Sequence, residues 1–236
     1  MKMNRSLTLV ASFTAALQIA TAGDVTGKIT LNGTPPPEKV ITPLKEDATC
    51  GKLVSGTPMT RFYVVGANKE LADVVVVIKG LEGKSTGAGA APAKLDQKGC
   101  EYIPAILAVQ TGQKITVKNS DPVMHNVHSV PTVAGNIEEN KGQMAGAADL
   151  SFSMAKAENF LKFKCDVHPW MFAWVTVVDH PYYAVTGPDG TFTIKDVPPG
   201  KYKIAALHRK AAPTGVEQDI EVKADGAKAD ITLEVK

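Results

Sequence analysis

The chain has 236 residues, 44% of them hydrophobic and 21% charged, which is long enough for one or two domains with buried cores. It carries 26 Lys and Arg against 24 Asp and Glu, and without Lys2 and Arg5 the two sets are equal. A balanced chain with no basic patch is not built to hold nucleic acid, so no nucleic-acid partner is expected.

Lys2 and Arg5 precede an apolar run from Leu7 to Ala20, and Ala20-Thr21-Ala22 has the small-x-small form of a cleavage site. Residues 1–22 therefore read as a signal peptide, with export to the periplasm. No later run approaches about 20 apolar residues, so no transmembrane helix is expected once the signal is removed.

The rest reads as all-β. Asp24 to Leu31 alternates with period two and ends at Asn32-Gly33, a turn signal. Thr34 to Pro37 breaks any element. Arg61 to Val65 is a short strand candidate. Asp73 to Lys79 is a β-branched run suited to a strand buried on both faces. Gly83 to Gly99, rich in Gly, Ala, Lys and Ser, is expected to be a mobile surface loop. Ile106 to Gln110 and Lys114 to Lys118 flank Thr111-Gly112, a hairpin-like break, and Val123 to Val130 follows the turn Asn119 to Pro122. Pro131 to Ala148 is expected to be loop, with at most one short helical turn. Leu150 to Met154, Phe160 to Cys165 and Ala173 to Asp179 complete a set whose spacing predicts a Greek-key sandwich or barrel. After a boundary at His180-Pro181, a D-G turn, a V-P-P-G turn and the pair Glu217 to Val222 and Ala229 to Val235 predict further strands.

Three cysteines suit an exported protein. Cys50 and Cys100 can pair, and a bridge closing that loop would contribute about 4 kcal/mol in the chain-entropy model. Cys165 is then the odd thiol. It opens C-D-V-H-P-W-M, in which Cys165, His168 and Met171 follow at intervals of three. A thiolate, an imidazole and a thioether on one tight loop, with a second imidazole from P-V-M-H-N-V-H upstream, make the two-imidazole, one-thiolate set with a weak axial sulfur that suits a type 1 copper ion. His125 and His128 compete for the upstream position. Strand alternation points them to opposite faces, so only one can bind. Zinc is disfavoured, because its structural sites usually hold two or more thiolates. His180 and His208 read as solvated or hydrogen-bonded, and Met124, Met144 and Met154 as core or patch residues.

The C-x-x-H-P-x-M loop together with H-N-V-H resembles the cupredoxin (blue-copper) family, in its amicyanin and plastocyanin-like branch, over roughly residues 100–179. The resemblance implies a Greek-key cupredoxin β-sandwich with one copper ion held by His125, Cys165, His168 and Met171. Asn126 would brace the metal loop by hydrogen bonding. It also implies an apolar partner-docking patch at Pro169 and Trp170, whereas Phe172 reads equally as a cap on the core. Residues 180–236 resemble the carboxypeptidase regulatory-like (transthyretin-like) β-sandwich family. Residues 23–99, strands and a flexible loop, either supply the front half of that second sandwich or belong to the copper domain.

With four donors no open position is left for a substrate, so the expected role is a one-electron carrier and not an enzyme. Its partners would be redox proteins, such as a periplasmic dehydrogenase or cytochrome. The methylamine-utilisation link of amicyanins is not carried over, because this chain has long extensions on both sides of the matching region. Copper delivery or storage, and an envelope binding module with a secondary copper site, are the alternatives. A multicopper oxidase or nitrite reductase would need more imidazoles than five histidines supply.

Overall fold

The computed structural model describes residues 21–236, so the signal-peptide reading lies almost wholly outside the described residues. The regular structure of the described chain is almost entirely β-strand, in four sheets consistent with a cupredoxin-type β-sandwich and a second sandwich beside it. No helix among the described residues is long and apolar enough to cross a membrane.

The strands, in chain order, are β1 (Gly23–Asn32) and β2 (Val75–Lys79), separated by a long excursion that carries the five-residue helix α1 (Thr42–Glu46). Next come β3 (Ala93–Gln97), β4 (Tyr102–Ile103), β5 (Ile106–Gln110), β6 (Ile115–Asn119), β7 (His125–Val130), β8 (Glu139–Gln143), β9 (Leu150–Phe152), β10 (Glu158–Lys164) and β11 (Phe172–Val178). The chain ends with β12 (Tyr183–Val185), β13 (Thr191–Val197), β14 (Gly200–His208), β15 (Ala212–Val222), β16 (Ala227–Lys228) and β17 (Ile231–Glu234).

Strands β3 to β11 form one sandwich. The sheet β5-β11-β10-β7-β8 packs on the sheet β4-β3-β6-β9. Alternating inward residues such as Leu95, Val117, Val127, Phe163 and Val175 fill the space between, with Phe152 and Phe163 edge to face at 5.4 Å. The remaining strands form the second sandwich, β13-β1-β16 with β17 also on β1, against β12-β2-β14-β15. The N-terminal strands therefore pair with C-terminal ones, and the first sandwich sits between them in the sequence.

The run Val74 to Ile78 explains how the two sandwiches meet. Val74, Val76 and Ile78 enter the core of the second sandwich, while Val75 and Val77 pack with Ile106, Val178, Ala205 and Leu207 at the seam between them. A strand covered on both faces needs no polar side, which is why its sequence is a continuous β-branched run. At the D-G turn before β13, Gly190 has φ +71°, and a Cβ there would lie 2.5 Å from the Ile29 carbonyl oxygen, so glycine is required.

Four expectations are corrected. Arg61 to Val65 forms no strand: the N–H groups of Phe62 and Tyr63 donate to the Glu38 carboxylate instead of to a neighbouring strand, and only Val65 makes an isolated bridge, to Leu71. Within Gly83 to Gly99, expected to be loop, β3 forms and pairs parallel to β6, burying Leu95 and Gln97. Within Pro131 to Ala148, β8 forms and pairs antiparallel to β7. The strands on either side of Thr111-Gly112 do not pair with each other. Gly112, at φ +75°, turns the chain from β5 in one sheet to β6 in the other.

His180 and His208 are buried, not solvated, and each accepts a backbone N–H at Nδ1, from Tyr182 and Ala211 respectively. Burial holds His208 down to about 4, from an ordinary value of 6.5. The unfolded chain takes up this proton below about pH 6.5 and the folded protein only near pH 4. The stability owed to the neutral ring is thus complete above the first value and lost as the pH falls through the second. Asn at position 208 keeps an acceptor for Ala211. Wild type is expected to lose about 3 kcal/mol more than His208→Asn between pH 7 and pH 4, measured by urea unfolding.

Candidate metal centre

Three side chains from two segments converge at one end of the first sandwich. His125 starts β7, while Cys165 and His168 lie on the turn between β10 and β11. That turn is closed by the Cys165 N–H to the Met171 carbonyl at 3.0 Å and the Met171 N–H to the His168 carbonyl at 2.9 Å. The Nδ1 atoms of His125 and His168 stand 3.0 Å apart, and the Cys165 Sγ lies 3.7 Å from the His168 Nδ1. One donor atom from each of the three lies within 4.8 Å of the others, a spacing that one ion can bridge. Met171 is 1% exposed and packs in the same core cluster as Cys165.

The charges around the cluster favour a deprotonated sulfur. Burial pushes the Cys165 thiol up, but hydrogen bonds from His125 and from the backbone N–H groups of Asn126, His168 and Val167 outweigh it and leave the thiol below its ordinary range. Burial and the neighbouring His125 hold His168 below its ordinary value. A soft sulfur, two imidazoles and a buried thioether make a donor set that fits a copper ion. The cluster has the capacity of a metal site.

Asn126 ties the two segments together. Its Oδ1 accepts the N–H of Asp166 at 2.6 Å, and its own backbone N–H points to the Cys165 Sγ at 3.5 Å. His128 lies apart from the cluster, paired with Asp166 at 2.8 Å and Glu138 at 2.6 Å on the outer face of β7. Pro169 is exposed. Trp170 is half-buried and donates its Nε1–H to the Cys100 carbonyl at 3.1 Å. Met154 is core, whereas Met124 and Met144 are exposed.

Two features went unread in the sequence. Asp121 appeared only as part of a turn, yet its buried Oδ2 accepts the His125 Nε2–H at 2.9 Å, which turns Nδ1 towards His168. The same carboxylate accepts the N–H groups of Gly99 and Cys100 at 2.7 and 2.8 Å. The spacing of four between Asp121 and His125 was the available signal. Cys50 and Cys100 form the expected disulfide, with their Cα atoms 5.7 Å apart, and what went unread is its place: both sulfurs lie within 4.8 Å of an imidazole nitrogen of His168. The excursion after β1 is thereby fixed against the exposed side of the cluster, where Leu44, Ile41 and Leu53 pack with Trp170.

A carboxylate that orients a ligating histidine typically supports 10- to 100-fold of metal affinity. Asp121→Asn is therefore expected to weaken Cu(I) binding about tenfold or more, measured by competition with a chromophoric chelator, with the circular dichroism of the sheets unchanged.

Neither a protein-family model nor a curated protein matches the chain. Among solved structures, a copper-containing nitrite reductase from Thermus scotoductus SA-01 matches at 17% identity and TM-score 0.33, over 37% of this chain and 22% of that one. The chain thus spans about a fifth of the length of that enzyme. A reduced amicyanin variant matches at 25% identity and TM-score 0.33, over 43% of this chain and 97% of that one. A purple cupredoxin from Nitrosopumilus maritimus matches at 22% identity and TM-score 0.30, over 36% of this chain and 98% of that one.

Proposed function

We propose that this protein is a periplasmic type 1 copper protein that carries single electrons between redox partners. The observation that carries the reading is the convergence of the His125 and His168 Nδ1 atoms and the Cys165 sulfur at one buried point, beside the buried Met171. In this reading those four residues hold the ion, which would supply the one-electron couple. The chain's own contribution is to keep the donors where they are. Asp121 fixes the ring of His125, Asn126 fixes the turn that bears Cys165, and the packed sandwich keeps water away from both. A site that does not rearrange between oxidation states suits electron transfer.

His125, Cys165 and Met171 are 0–1% exposed, and His168 alone of the four is partly open to solvent. This shelter favours a carrier over copper delivery, where the ion must be reached and removed. His168, with exposed Val167 and Pro169 beside it, is the proposed contact for redox partners, and Trp170 forms the wall towards the disulfide. The second sandwich is read as a regulatory-like domain that orients the copper unit.

Purified protein loaded with Cu(II) is expected to show an intense visible sulfur-to-copper absorption band, and Cys165→Ser to abolish it. A colourless Cu(II) complex, or a band that survives the substitution, overturns the reading. Electron self-exchange much faster than Cu(I) release to a chelator is expected, and the reverse order would favour delivery.

A further inference from the structure

A cavity of about 260 Å³ opens between the two sandwiches, and Met171 of the candidate metal centre is part of its wall. Its walls come from distant parts of the chain and include Phe62, Trp170, Phe172, Trp174, Arg61 and Arg209. Aromatic faces dominate, which suits a flat ring.

The two guanidiniums differ. Arg61 is already engaged by a carboxylate, with Nε and an Nη on the two oxygens of Asp73 at 2.6 and 3.1 Å. Arg209 is half-buried and held between two rings, 4.8 Å from the centre of Trp174 and 5.4 Å from that of Phe62. The acid whose charge acts on it is Glu38, whose oxygens already accept the N–H groups of Phe62 and Tyr63 and the Thr60 hydroxyl. Among the described residues Arg209 makes no salt bridge. Stacking occupies the faces of a guanidinium and leaves its edge of N–H donors free, and that edge matches a carboxylate in two-point geometry.

Two lysines that do not line the cavity lie near its aromatic rings. Lys162 Nζ lies 5.6 Å from the Phe172 ring and 5.9 Å from the Trp174 ring, and Lys210 Nζ 4.5 Å from the Phe62 ring. Glu101 is the acid among the lining residues. Burial raises its carboxyl above the ordinary value, and its charge partner is Arg61, not Arg209.

We infer that this cavity binds a small single-ring aromatic carboxylate, its ring among Phe62, Phe172 and Trp174 and its carboxylate on the Arg209 edge. Met171 also lines the cavity, so the titration is made on metal-free protein, where a bound ion cannot contribute to the response. The chain has two tryptophans and both line the cavity, so intrinsic fluorescence reads this site directly.

Titration with sodium benzoate is expected to give a saturable fluorescence change, matched by calorimetry. Benzamide, the neutral analogue, and acetate, the anion without a ring, should each bind at least about tenfold more weakly. Arg209→Gln should reduce benzoate affinity by about tenfold or more, and Arg209→Lys by less. The inference is overturned by no saturable response to benzoate in wild type, by equal responses to benzamide or acetate, or by a folded Arg209→Gln that binds benzoate as tightly as wild type.

Discussion

The candidate site depends on one contact between segments far apart in the chain: the Asn126 side chain accepting the N–H of Asp166 while its own backbone N–H reaches the Cys165 sulfur. Without it, the turn after β10 and the start of β7 would be two strand ends that happen to be neighbours. With it, the sulfur and the His125 ring are referred to a single rigid amide. Both strands sit in the same sheet, and β7 pairs with β10 through Lys164↔His128, so the amide has little distance to span.

Asp121 extends the same logic outward. One buried carboxylate accepts from the His125 ring and from the backbone N–H groups of Gly99 and Cys100, so the disulfide segment and the imidazole share an anchor. Such a group is costly to bury alone and is stabilised here by donors on both oxygens.

Much of the site was legible because it is local. Cys165, His168 and Met171 repeat every third residue, and His125 stands at the start of a strand whose alternation turns His128 outward. The segments that escaped prediction share a different cause. A-K-L-D-Q and E-N-K-G-Q are polar and poor in β-branched residues, and they become β3 and β8 because β6 and β7 offer them open edges. Partners decide such strands, and partners are not written in a local window. The cavity beside the candidate metal centre escaped for the same reason, since Phe62, Trp174 and Arg209 become neighbours only after both sandwiches have formed.

The seam between those sandwiches is crossed by covalent bonds in three places. The chain leaves β2 for β3 and returns from β11 to β12, and β2 and β12 are themselves hydrogen-bonded neighbours. Between β1 and β2 it makes a further excursion, which the Cys50–Cys100 bridge fastens to the other half. The molecule is therefore laced, not strung. A protease that nicked either of the two peptide crossings would leave the halves joined by the other and by the disulfide.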